Sequence, residues 1–304
     1  METALIVFKQ TVVMFLYMFA GYILFRTEKM TIKGSKDIAS LLVWLVIPTV
    51  IVNSFCVERT AARTVELLES ALVSALGLIL SMVIASLIYK KKPVDHFGAA
   101  FSNAGFIGIP LVQAAFGNQA VFWIVPIIAM LNMLQWSYGV SLLTGEKSAV
   151  GIRHLVYNPI LVGTVIGLLV YFTGLGQHLP GVVSTTLSGI SALNAPLAMI
   201  VLGSYLAQSD MKKMFTSSGL YCLSAVRLLL IPAATLVIFR FIPIRTDILL
   251  SEFIALSTPI GANVAVYAQL YDRYYPYACQ TVALTTLLSI ATLPLILMAA
   301  GFIL

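Results

Sequence analysis

Long apolar stretches alternate with short polar ones along almost the whole chain. About 20 residues are needed to cross the hydrocarbon core of a bilayer. On that measure the pattern predicts ten spans, at roughly 4–25, 36–56, 67–89, 97–117, 120–143, 154–173, 180–206, 216–239, 247–270 and 277–301. The connections between them are too short to hold a soluble domain. The fold class expected is therefore an all-α polytopic membrane protein.

Two spans are interrupted. Span 4 contains Asn103-Ala104-Gly105-Phe106-Ile107-Gly108-Ile109-Pro110, and span 9 contains Ser257-Thr258-Pro259-Ile260-Gly261-Ala262-Asn263. An interior glycine costs a helix roughly 1 kcal/mol against alanine, and proline removes a donor and clashes one turn back. In hydrocarbon such breaks persist only where protein buries them or a polar cavity receives them. Each proline is placed where a second half-helix could begin, with Thr258 as the N-cap before Pro259; Ile109 cannot cap with its side chain. The alternative is a pair of kinks that only help helices pack.

Proline spacing suggests an internal repeat. Pro48 in span 2 and Pro196 in span 7 are 148 residues apart, and Pro110 in span 4 and Pro259 in span 9 are 149 apart. Five spans per repeat is an odd number, so the second repeat enters from the opposite side. The expected architecture is two inverted five-helix repeats, with helices 4 and 9 broken. The domain division is 1–143 for the first repeat, 144–153 for a cytoplasmic connecting loop and 154–304 for the second.

Composition agrees with a membrane protein. The 304 residues are 60% hydrophobic and 10% charged, with a mean hydropathy of +0.99, where a soluble domain carries about 25% charge. Of the 18 lysines and arginines, 12 fall in odd-numbered loops and 4 in even-numbered loops. This asymmetry places the odd loops in the cytoplasm and both termini outside a cell membrane. It also accounts for the basic pI without a nucleic-acid partner. The three cysteines and three histidines share no ligand spacing, so no metal is expected. No cofactor is expected either: there is no P-loop and no H-E-x-x-H. The first apolar run starts almost at Met1, without a basic n-region, and is too long for a signal-peptide core.

An inverted repeat brings the two breaks together. Two half-helix N-termini, each carrying about half a positive charge, would then face one small cavity, a geometry that suits an anion such as a carboxylate. The candidate substrate-binding residues are Asn103, Gly105, Gly108, Pro110, Thr258, Pro259 and Asn263. Arg227, in the middle of span 8, falls near the level of Pro259 in an antiparallel pair. It would neutralise an anionic substrate, or stand in for a coupling cation, or bond backbone carbonyls freed by the break. Glu252 is the one carboxylate well inside a span and is the candidate for proton coupling. Gln113, Asn132 and Gln135 would line the cavity or bond between helices. The GxxxG at Gly163–Gly167 marks close helix packing, and Tyr271, Tyr274, Tyr275 and Tyr277 form an interfacial belt.

At these residues the chain resembles the auxin efflux carrier family, as a bacterial-type member. "SNAGFIGIPLVQAAFG" (Ser102–Gly117) is similar to that family's span-4 signature, "NPILVGTVIGLLVYFTG" (Asn158–Gly174) to its sixth span, and "STPIGANVAVYAQLYDRYYPYACQTVALTTLLSIATLPL" to its last two. The resemblance covers the whole chain. It implies a scaffold of spans 1, 2, 6 and 7 and a mobile transport domain of spans 3–5 and 8–10. It implies a substrate contact at Asn103 and a crossover proline at Pro110. Plant members have a second proline shortly after the position of Pro259; here Val264 stands there. The long central loop of many plant carriers, with its phosphorylation sites, is absent.

The function expected is secondary transport of a small organic anion, an auxin-like or malate- or malonate-like carboxylate, by elevator-type alternating access. No enzymatic activity is expected. The alternatives are a sodium- or proton-coupled symporter or exchanger of the bile-acid symporter architecture, and a membrane ligand sensor that moves nothing. The partners are the substrate anion, the lipid bilayer and, as an open option, a second copy in a homodimer.

Overall fold

The computed structural model describes residues 2–145, 157–271 and 273–304. The expected seam between the halves, with Lys147, Arg153 and His154, lies outside the described residues. Those residues form helices and no named strand. In chain order the helices of eight residues or more are α1 (Glu2–Arg26), α2 (Ile32–Ser54), α3 (Ala61–Ile88), α4 (Pro93–Ala100), α5 (Ala104–Phe116), α6 (Asn118–Thr144), α7 (Pro159–Thr173), α8 (Gly181–Gln208), α9 (Ser218–Phe239), α10 (Thr246–Ser257), α11 (Asn263–Leu270) and α12 (Tyr275–Ile303). Seven of these, α1, α2, α3, α6, α8, α9 and α12, are long and apolar enough to cross a membrane. Three expected spans are shorter or divided. Span 6 is the 15-residue α7, span 4 is α4 plus α5, and span 9 is α10 plus α11.

Local chemistry starts several of these helices. The Thr31 side chain accepts from Gly34 N–H at α2, and Thr60 accepts from Arg63 N–H at α3. Asn158 accepts from Ile160 and Leu161 N–H at α7, with Pro159 as the first helical residue. Each side chain satisfies amides that the first turn leaves without an intrahelical acceptor.

The Ile-Pro steps behave differently. Ile47-Pro48, Ile109-Pro110 and Ile231-Pro232 each follow a five-residue π-turn, at Leu42–Val46, Ala104–Gly108 and Val226–Leu230. Proline lacks an N–H and crowds the carbonyl four residues back; a π-turn widens the helix just ahead of it and absorbs both defects. At these three positions proline is carried inside a continuing helix.

The outward surface is rich in apolar side chains, with Leu16, Leu68, Leu87 and Phe302 all well exposed. A multi-pass membrane protein presents such a surface to lipid. Inside, α1 lies along α8, and the C-terminal half of α2 packs on α7. A Cβ on Gly163 would come within 2.9 Å of Pro48 Cα, so the GxxxG of α7 is a close-packing surface against α2. Meanwhile α3 packs on α4 and α6, and α10 packs on α3, α6 and α9. Two tyrosines of the expected interfacial belt make inward bonds: Tyr277 donates to Asp95 Oδ1 at 2.7 Å, and Tyr275 donates to Gln208 Oε1 at 3.2 Å.

Candidate functional site

The two helix breaks meet. After α4 the chain is extended at Phe101, and Ser102 pairs antiparallel with Ile260 in the second break. Asn103 N–H donates to Pro259 C=O at 2.9 Å, and Gly261 N–H donates to Phe101 C=O at 3.1 Å. Unwound backbone polar groups, costly in a membrane, thus satisfy one another. A Cβ on Gly261 would approach Ser102 O to 2.9 Å and Gln135 Nε2 to 3.2 Å, so the strands cross this closely only because residue 261 is glycine.

In both breaks helix resumes elsewhere than the prolines suggest. Helix resumes at Ala104 through the π-turn, and Pro110 sits inside α5. The amides at the start of this half-helix are therefore those following Asn103, not those following Pro110. In the second break Pro259 is in the extended segment, and helix resumes at Asn263. Thr258 does not act as an N-cap: its hydroxyl donates back to Ala255 C=O at 2.9 Å and closes α10. A residue before proline is pushed to extended backbone, and Thr258 has φ −61°, ψ 156°.

Arg227 lies behind the crossing. It is 0% exposed. Its Nε donates to Thr258 C=O at 3.1 Å, one Nη to Ala99 C=O at 3.0 Å, and the other Nη to Leu256 C=O. Ala99 is in the last turn of α4, and Leu256 in that of α10. One cation therefore joins the carbonyl ends of both first half-helices, where the helix dipole favours positive charge.

In front of the crossing is a cavity of about 550 Å³, within the roughly 300–1,000 Å³ usual for small-molecule sites. Its floor is made by Ser102, Asn103, Gly105, Gly261 and Asn263. Aromatic walls come from Trp44, Phe106, Trp136, Tyr205 and Tyr267. Lys36 is exposed at the mouth and is the one charged side chain among the described lining residues. Asn103, 5% exposed, precedes a helix yet makes no capping bond, and its Nδ2 has no hydrogen-bond partner. Asn263 Nδ2 donates to Gln135 Oε1 at 2.6 Å, which leaves Gln135 Nε2, also buried, without an acceptor. Two amide donors thus lie beside the N-termini of α5 and α11. A buried unmade hydrogen bond costs about 1–3 kcal/mol, so an acceptor-rich ligand gains what these donors lack.

Of the sequence candidates, Asn103, Gly105 and Asn263 line this cavity. Gly108 packs against Ala255, and Gly108, Pro110, Thr258, Pro259 and Arg227 are not among its lining residues. Glu252 is fully buried between α10 and α3, where Ser74 Oγ donates to its Oε1 at 2.8 Å. Lys36, Asn158 and Asn194 were not singled out from sequence. Asn158 joins the lining, and Asn194 Nδ2 donates to Gly105 C=O at 3.3 Å. Asn194 carried one signal, its place two residues before the repeat-marking Pro196.

An apolar helical shell around a chamber at two helix breaks describes a membrane transporter rather than an enzyme. The family model described as "Membrane transport protein" matches the chain twice, over residues 6–152 and 147–297, and the chain belongs to that family, the auxin efflux carriers. It is 26% identical over 237 residues, 73% of this chain and 70% of the relative, to a Rhizobium meliloti (strain 1021) protein named "Putative malonate transporter". It is 25% identical over 225 residues, 71% of this chain and 73% of the relative, to an "Uncharacterized transporter" of Methanothermobacter thermautotrophicus (strain Delta H).

Proposed function

We propose that this transporter carries a small organic anion, a carboxylate of malonate or malate type or an auxin-like one, by elevator-type alternating access. The observation that carries the reading is the cavity floor: Asn103 and Gln135 offer unpaired amide donors beside two half-helix N-termini, with no acidic residue among the described lining. Neutral donors and helix dipoles hold a carboxylate without a buried countercharge. Lys36 at the mouth draws anions in. The name of the Rhizobium relative agrees with a dicarboxylate.

The architecture we propose has ten crossing segments in two inverted repeats, 1–143 and 154–304, with α4–α5 and α10–α11 as the crossing broken helices. The antiparallel meeting of the two breaks and the two successive family matches support it. A scaffold of α1, α2, α7 and α8 would hold a moving body of α3–α6 and α9–α12. The packing of α1 on α8 and α2 on α7 supports this division, as does the way Arg227 ties α4, α9 and α10 into one unit. The cavity opens on the side of Lys36 and Asn158, the side of the basic odd loops, which supports reading this as an inward-facing state with both termini outside a cell membrane.

The test is a melting screen of purified protein against malonate, malate and indole-acetate, in sodium and in potassium, with Asn103→Ala alongside. A ligand that binds the folded state raises the midpoint by mass action, by about 2.7 kcal/mol of stability at a hundred times Kd. The expected result is a shift with one carboxylate class that is about halved in Asn103→Ala at the same ligand concentration. A shift undiminished in the variant, or none with any carboxylate, overturns the reading. A shift that requires sodium would favour a coupled symporter.

A further inference from the structure

A second polar region lies on the opposite face from the cavity mouth. A pocket of about 300 Å³ is lined by Arg63, Glu66, Gln119, Trp123 and Arg245. Arg245 is ion-paired with Glu66 and with Asp247, and Trp123 Nε1 donates to Glu66 Oε2 at 3.0 Å. From Glu66 a line of small residues runs inward along α3 at helical spacing, with hydroxyls at Ser70, Ser74 and Ser81 and Gly77 between the last two. Ser70 is 0% exposed and its Oγ has no partner. Ser74 Oγ reaches Glu252, whose Oε2 is buried without a partner. Glu66 to Ser74 is eight residues, about 12 Å along a helix at 1.5 Å per residue.

No cation within ion-pair distance accompanies Glu252 among the described residues. From α3 it faces Ser74, with Glu66 and Glu69 further out. From α9 the only charge is Arg227, committed to the carbonyls beyond. From α6 come Trp123 near the surface and Tyr138 at the far end, and α5 brings no charged group. The titratable groups of α12, Tyr275, Tyr277 and Cys279, are in its first five residues. On α10 itself Asp247 is held by Arg245. A lone carboxylate in such a place is expensive unless it takes up a proton.

We propose that Glu252 is a proton-binding site of the transport cycle, loaded from the face opposite the cavity mouth along the Ser70–Ser74 hydroxyl track. This rests on the carrier reading above and adds a site separate from the substrate chamber. The step is a single proton transfer. A hydronium ion at the Arg245–Glu66 pocket breaks one O–H bond and becomes water, each serine oxygen of the track accepts one proton as it gives up another, and the last O–H bond forms on the Glu252 carboxylate, which Ser74 Oγ already contacts through Oε1. Carrying the ionised group through the membrane is costly, so the body containing α3 and α10 moves when Glu252 is protonated.

Two measurements test this. In right-side-out and inside-out vesicles, labelled malonate exchange should fall as pH rises on the Arg245–Glu66 face and ignore pH on the Lys36 face. Glu252→Gln should remove that dependence. A response to pH on the Lys36 face, or one that survives in Glu252→Gln, overturns the proposal. The second measurement needs no substrate. The infrared band of a protonated carboxyl should vanish in Glu252→Gln. In Ser70→Ala its exchange with deuterium should slow by about a hundredfold, the lower end of what positioned proton transfer contributes. Absence of the band in the wild type, or unchanged exchange in Ser70→Ala, overturns the site or its route. The band present with malonate immobile would sink the carboxylate reading and leave the proton site standing.

Discussion

The two helix breaks occupy equivalent places in the crossing yet are built by different chemistry. At the first, helix resumes at once through a π-turn, and the proline is absorbed inside α5. At the second, proline lies in the extended segment, and helix resumes only at Asn263. The first leaves its asparagine uncapping and unpartnered at the cavity, whereas the second ties its asparagine to Gln135. Arg227 also treats them unequally, with two bonds to the second break's helix and one to the first's. The second break is braced; the first is left with its donor free. A braced wall lowers the cost of ordering a ligand, and the unspent donors of Asn103 and Gln135 give that ligand hydrogen bonds to gain.

The largest effect is expected from removing the brace. Arg227→Met abandons three carbonyls, and at roughly 1–3 kcal/mol for each unmade buried bond the protein should lose at least about 3 kcal/mol. Its thermal midpoint in detergent should drop sharply. Arg227→Lys should fall between, because a point charge cannot hold three acceptors set around a planar fork. A lysine variant as stable as wild type would show that the geometry of the fork is unimportant.

A glycine pair sharpens the comparison. Gly261→Ala pushes a methyl to 2.9 Å from Ser102 O, and overpacking of this kind costs about 1–3 kcal/mol. Gly105→Ala meets only Ile47 Cδ1 at 3.7 Å and should change stability by less than about 0.5 kcal/mol. Its methyl projects toward the cavity, so its effect belongs in ligand affinity. Equal melting points for the two variants would remove the distinction between a tight and an open break.

The smallest stability effects concern the asparagines. Asn263→Ala takes the donor from Gln135 Oε1 and should cost on the order of 1 kcal/mol. Asn103→Ala removes a side chain without a hydrogen bond and should leave the melting point within about 0.5 kcal/mol. Carboxylate affinity should nevertheless fall about tenfold, the value of one hydrogen bond of 1.4 kcal/mol. If Asn103→Ala instead destabilised the free protein, its side chain would be serving the fold.

Local rules made much of this legible. Proline and glycine marked where helices 4 and 9 are disturbed, and the level of Arg227 followed from counting residues about a turn. The same rules misplaced where helix resumes after each break. Whether a proline starts a half-helix or rides behind a π-turn depends on what its neighbours pack against. Ile109-Pro110 is buried and continues as helix, whereas Thr258-Pro259 is drawn into the bridge with Ser102 and Asn103.

The sequence by itself determined that this is a multi-pass membrane protein of the auxin efflux carrier family, with disturbed helices where spans 4 and 9 were expected. Those properties follow from hydropathy, helix propensity and motif, which are written in neighbouring residues. Only the tertiary structure decided which polar groups are satisfied and which are left for a ligand. Arg227 finds Ala99 from 128 residues away, Asn263 finds Gln135 from 128, and Glu252 finds Ser74 from 178. A buried side chain takes whatever partner the packing of distant helices brings within about 3 Å, and no local pattern along the chain records that distance.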